Sequence, residues 1–336
     1  MAHTLRFPGF FDLQVNGFAG VDFNAPGVSE AAIAHVSSAL RATGVTRFLP
    51  TLITSAPAHF AACAAPWRDT RQAAVAGLHL EGPYINPEDG PRGAHPAAFV
   101  VPPSVDDFER RQDAAGGRIR LVTLAPEMPG ALALIEHLVN RNVAVAIGHS
   151  AADGAILRAA VAAGARLTTH LGNATPRHVP RWDNVIWQQL ARDELLASLI
   201  VDGHHLDPDT VKVIVRAKTP ARTVLVTDAM AAAGQSPGAF TLGEIAVRLT
   251  EDGRALDQAT GRLAGSALTM DRAVSLLTRF AGVELGDAVA SASWHPARLL
   301  GEAPRGTVEA SWDPAPSQLQ VLGVSDESDV PPHGSS

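Results

Sequence analysis

Eight short apolar runs, separated by helix-sized amphipathic stretches, constrain this 336-residue chain more than any other feature. The runs cover residues 10–15, 45–52, 75–83, 119–124, 143–147, 166–169, 195–201 and 223–227. Helical patterns intervene at 30–43, 57–72, 129–141, 151–163, 185–192 and 208–217, and another follows at 268–280. Only a weak element near 105–114 stands between the third and fourth runs. Apolar strands that alternate with helices imply a parallel sheet covered on both faces. Eight such units close into a (β/α)8 TIM-like barrel. No Gly-x-Gly-x-x-Gly turn follows the first run, which argues against a dinucleotide-binding sheet. With 46% hydrophobic and 18% charged residues, the chain can fill a core of that size.

The interruptions of the pattern are informative. Residues 84–103 form a long Pro- and Gly-rich loop, a length that compact domains reserve for function or leave disordered. Residues 240–249, the turn Glu251-Asp252-Gly253 and residues 262–264 read as a β-hairpin inserted after the last barrel strand. Residues 287–300 read as one more helix. The expected organisation is a barrel over 1–305, a remnant of a small β domain over 306–324 and a disordered tail over 325–336. The single cysteine, Cys63, rules out an internal disulfide. The net charge of −7 gives no sign of a polyanion binder, so no nucleic-acid partner is expected. With no membrane-length apolar run and no signal peptide, the expectation is a cytoplasmic protein without a membrane partner.

The ends of the apolar runs carry the chemistry. Gln14 and Asn16, Glu81, His149, His170, His205 and Asp228 all stand at or just beyond strand ends. His79 and Glu81 lie two apart and so point to the same side of their strand. In a closed barrel the C-terminal strand ends converge on one site. Glu81, His149 and His170 make a ligand set for a first-row divalent ion, with a coordination position left open. Such an ion brings the pKa of a bound water to roughly 7. Asp228 beside it is placed to accept a proton and pass it on. Each residue alone has a plain structural reading, as a packed histidine or a helix cap. Their joint occurrence at strand ends three, five, six and eight is what favours a site.

The same residues carry a resemblance. The chain resembles the N-acetylglucosamine-6-phosphate deacetylases of the amidohydrolase superfamily. The matching segments are 8–16 (PGFFDLQVN), 79–86 (HLEGPYIN), 93–95 (GAH), 148–150 (GHS), 169–174 (THLGNA), 202–205 (DGHH), 226–234 (VTDAMAAAG) and 263–270 (LAGSALTM). The resemblance implies one metal held by Glu81, His149 and His170, with zinc first and iron second. It implies Asp228 as general base and then acid, and His95 near the substrate carbonyl. Asn173, Ala174 and His205 would bind the sugar and its anionic end, and Leu263 would line the acetyl pocket. The implied reaction removes acetyl from an N-acetylated amino sugar, a small-molecule substrate, in a homodimer.

The chain departs from the family pattern in three places. Many amidohydrolases carry His-x-His after the first strand, and this chain has Gln14-Val15-Asn16, which favours a single metal. After His170 the family's His-Arg-Glu-Pro-Gly run is absent. Arg177 and Arg181, with His178 nearby, are the available phosphate clamps. The small β-sandwich is expected to be reduced or missing. Two alternatives follow: an amidohydrolase acting on another amide or on a non-phosphorylated sugar, or a barrel used only for binding.

Overall fold

The computed structural model describes residues 3–326. Eight strands pair in chain order into one sheet: Phe10–Val15, Val45–Ile53, Leu78–Glu81, Ile119–Leu124, Ala144–Ile147, Leu167–Thr168, Leu196–Leu199 and Thr223–Leu225. Every neighbouring pair is parallel. The sheet closes on itself. Val15 bridges Ala229, and the Asp228 amide donates to the Gln14 carbonyl at 2.9 Å. Asp12 lies in this seam, its carboxylate accepting from the amides of Gln14 and Thr227 and from the Thr227 hydroxyl. Burial pushes its carboxyl up to about 7 against the pull of those hydrogen bonds.

The helices form where local chemistry starts and stops them. Glu30–Arg41 begins at Ser29, whose side chain accepts from the Ala32 amide. Its buried residues Ile33, Val36 and Leu40 fall on one helical face. The helix expected from 151 begins instead at Gly154, because Asp153 caps it through the Ile156 amide. Glu127 meanwhile holds the Ala151 amide outside the helix. The weak element is a helix, Val105–Ala114, capped by Ser104 and anchored by buried Phe108. It completes the helical layer between strands three and four. The expected helix at 287–300 is two, Leu285–Ala292 and Trp294–Leu299, broken at Ser293.

Two smaller sheets flank the barrel. The insertion is three-stranded and antiparallel: Gly238–Leu242, Ile245–Leu249 and Ala255–Asp257. The expected run 240–249 therefore bends back on itself at Gly243, where φ is +57° and glycine is favoured. Leu242, Val247, Leu249 and Ala255 pack with Ile53, Met230 and Ala264 into a second apolar cluster beside the barrel. The other sheet pairs His3–Pro8, Thr307–Asp313 and Gln318–Ser325. The sequence pattern gives no sign of the strand His3–Pro8. The expected tail falls, from residue 327 on, outside the described residues. Among the described residues no helix is long and apolar enough to cross a membrane.

Candidate active site

Strand three delivers Glu81 to the C-terminal mouth of the barrel, buried to 3% exposure. Three imidazoles gather on it. His149 Nε2 lies 3.2 Å and His170 Nε2 3.1 Å from Glu81 Oε1, while His95 Nε2 lies 3.9 Å from Oε2. The ring centroids of His95 and His149 are 4.3 Å apart, and those of His149 and His170 are 5.0 Å apart. His149, His170 and Asp228 all adopt left-handed backbone, with φ of 53°, 30° and 51°. That conformation is unusual away from glycine and costs of order 1–3 kcal/mol per residue.

The donor arrangement fits a cation. His149 Nδ1 lies 2.9 Å from the carbonyl of Pro91, which can only accept, so the ring hydrogen belongs on Nδ1. In the neutral ring Nε2 then presents a lone pair to Glu81 Oε1. Two acceptors at that distance call for a proton or a metal ion between them. His170 brings a second ring nitrogen to the same oxygen, and its buried Nδ1 has no hydrogen-bond partner. Ligand atoms of Glu81, His95 and His149 also lie within 4.8 Å of one another, so geometry alone admits His95 to the cluster. Burial raises the Glu81 carboxyl, but the neighbouring imidazoles of His149 and His170 outweigh it and hold the group well below the usual range.

Asp228 stands next to this cluster. Gln14 Nε2 donates to Glu81 Oε1 at 2.9 Å and to Asp228 Oδ1 at 3.0 Å, so one amide bridges both carboxylates. Asn16 Nδ2 adds a 2.6 Å bond to Asp228. Burial first, and the Glu81 charge second, push Asp228 up to about 7. His95 is pushed down to about 3, by burial and then by His149, and is therefore a neutral imidazole. Its Nδ1 rests 2.7 Å from the Thr54 hydroxyl. His79 takes no part. Both its nitrogens are used by Thr51 and Thr123 inside the barrel, and burial pushes it down to about 4.

A cavity of about 280 Å³ opens over these groups. Its lining includes Glu81, His95, His149, His170, Asn173, Ala174, Arg177, His205, Asp228 and Leu263. Arg181 and His178 are the exceptions among the expected residues: both are exposed and do not line this cavity. His205 is oriented by Asp202, 2.7 Å from its Nδ1. Asn173 donates to the His170 carbonyl at 3.1 Å. Three participants escape sequence reasoning. Thr54 and Asp202 orient histidines, and Arg262 lines the cavity beside Leu263. Only the adjacency of Arg262 to the matched segment at 263 could have drawn attention to it.

A closed (β/α)8 barrel that collects a glutamate, two histidines and an aspartate at its strand ends, with a third histidine brought in by a loop, is built as a metal-dependent hydrolase. The chain belongs to the amidohydrolase family, whose model matches residues 5–314. It is 38% identical over 322 residues to N-acetylglucosamine-6-phosphate deacetylase of Homo sapiens, covering 91% of this chain and 77% of that one. It is 36% identical over 304 residues to N-acetylgalactosamine-6-phosphate deacetylase of Escherichia coli O157:H7, covering 88% and 78%. The crystal structure of N-acetyl-D-glucosamine-6-phosphate deacetylase from Mycobacterium smegmatis superposes with a TM-score of 0.87. Its sequence is 32% identical, with 96% of this chain and 86% of that one covered.

Proposed function

We propose that the chain hydrolyses the acetamide of an N-acetylhexosamine 6-phosphate, releasing acetate and the amino sugar phosphate. The observation that carries this reading is Asp228, tied by Gln14 to the Glu81 oxygen on which His149 and His170 converge. One divalent ion, zinc before iron, fits Glu81, His149 and His170, where it supplies Lewis acidity and makes water acidic enough to ionise near neutral pH. Asp228 takes the proton of the attacking water. It keeps that proton within the buried site and gives it to the departing amine. Asn16 and Gln14 hold the carboxylate in place while it turns over. His95 is neutral; with the Thr54 hydroxyl as donor to its Nδ1, its Nε2 would carry the hydrogen that supports the developing oxyanion. Asn173, Ala174 and His205 contact the sugar, and Leu263 bounds the acetyl methyl.

The relative from Escherichia coli, named for the galactosamine epimer, keeps that epimer in play as substrate. Assay of both N-acetylhexosamine 6-phosphates, and of the free sugars, with and without chelator, tests the reading. Acetate release from a 6-phosphate that stops on chelation is expected. No acetate release from any of these sugars overturns it. We also read the chain as a cytoplasmic homodimer. In support, Trp182 and Trp187, 74% and 50% exposed, offer apolar surface to a second copy. The sheet of His3–Pro8, Thr307–Asp313 and Gln318–Ser325 belongs, on this reading, to the small β domain.

A further inference from the structure

We propose that Arg262 reads the phosphate of the substrate, and that Asp89 holds its guanidinium ready as an internal stand-in for that anion. The inference rests on the reading of the chain as an amino-sugar phosphate deacetylase. Arg262 lines the cavity next to Leu263, on the segment that follows the three-stranded insertion. It donates through Nη1 to Asp89 Oδ1 at 2.6 Å and through Nη2 to Asp89 Oδ2 at 2.9 Å. This two-pronged geometry is the one by which arginine also grips a phosphate.

Asp89 belongs to the loop that carries His95 over the metal cluster. Its neighbour Gly90 lines the cavity and packs on the segment leading to Arg177, where a Cβ would sit 3.0 Å from the Thr175 carbonyl and 3.2 Å from Pro176. Arg177 lines the same cavity. The Asp89 carboxyl is held below its ordinary range by the Arg262 hydrogen bonds, with the charges of Arg262, Arg177 and Arg92 adding to them. Arg262 is bonded to Asp89, while Arg177 and Arg92 act on it through charge. Asp257, the other acid near Arg262, is already bonded to the Ala259 amide and the Thr260 hydroxyl. The pair itself is exposed, with 33% of the Arg262 side chain and 61% of Asp89 open to solvent. Exposed pairs exchange partners at little cost, and a phosphate dianion carries more charge than the carboxylate it would replace.

The test is the ratio of kcat/KM for an N-acetylhexosamine 6-phosphate to that for the free sugar, in wild type, Arg262→Gln, Asp89→Asn and a control, Arg254→Gln. Arg254 pairs with Asp252 on the same insertion, does not line the cavity, and leaves the ratio unchanged. Arg262→Gln is expected to lower the ratio about tenfold or more, through KM for the phosphorylated sugar. Asp89→Asn is expected to lower that same KM, because the internal competitor is gone. If Arg262 only fastens the loop, both variants lose activity on the two substrates alike and the ratio holds, which overturns the inference. A KM for the 6-phosphate that is unchanged or raised in Asp89→Asn overturns the stand-in role. A wild-type protein that deacetylates neither sugar overturns the functional reading itself, and is told apart by needing no variant.

Discussion

Asp228 and Glu81 share one amide donor, and this sets the conditions under which Asp228 works. Burial and the nearby Glu81 charge push it up to about 7, against the opposing pull of His170, His205 and the Asn16 hydrogen bond. In the proposed mechanism only the ionised form accepts a proton, so activity is expected to fall as pH falls through this pKa. A divalent cation on Glu81 cancels the repulsion and favours the anion. In the metal-loaded enzyme the acid limb of kcat/KM is therefore expected below pH 7, and a pH profile with its limb at or above 7 contradicts this. Asp228→Asn keeps the shape and the bonds from Gln14 and Asn16 but cannot take a proton. It is expected to lower kcat about a hundredfold to ten-thousandfold while elemental analysis finds the same metal content. At this scale the strand-end residues were legible, because a polar side chain closing a buried apolar run needs a partner. The orienting residues were not. Thr54 and Asp202 matter only through a histidine each of them happens to face in the fold. Arg262 reads in the sequence only as part of the inserted hairpin at 262–264, and the third strand of the insertion is instead Ala255–Asp257.

Abrupt strand ends are the elements' contribution to the site. His149, His170 and Asp228 turn into left-handed backbone as their strands stop, and this aims three side chains into one small volume. The strain is held by the surrounding sheet. A comparable distortion occurs far from the chemistry. Thr219, exposed, joins the helix Pro208–Lys218 to the last barrel strand with φ 63° and ψ 156°, a region open in practice only to glycine. Thr219→Gly is expected to raise stability by about 1 kcal/mol, the strain relief exceeding the entropy glycine adds to the unfolded chain. Denaturant unfolding showing no gain would refute that assignment of strain. The barrel strands were readable because parallel strands buried on both faces appear as continuous apolar runs. His3–Pro8 was not, since four of its six residues are exposed and its partner strand lies some 300 residues away, as in the Arg6–Glu309 pair. The two strands between 238 and 249 differ from one only by the turn at Gly243.

For the molecule as a whole, the site works as a long-range tie. Glu81 meets His149 across 68 residues of chain and His170 across 89, and the seam at Asp12 joins the first strand to the last across 215. An unfolded chain cannot hold these ligands together, so an ion they bind stabilises only the native barrel. At a free metal concentration a thousandfold above Kd the stabilisation is about 4 kcal/mol. Chelation should then lower the melting temperature by several degrees, and re-addition of zinc should restore it. His149→Ala removes a proposed ligand and should abolish this chelator sensitivity, whereas Asp228→Asn should retain it. The pair of variants separates the two halves of the site without reference to turnover. A chelator-insensitive melting temperature in the wild-type protein, with metal demonstrably lost, would mean that the barrel closes through its hydrogen-bonded seam alone and that the Glu81 cluster contributes nothing to holding it shut.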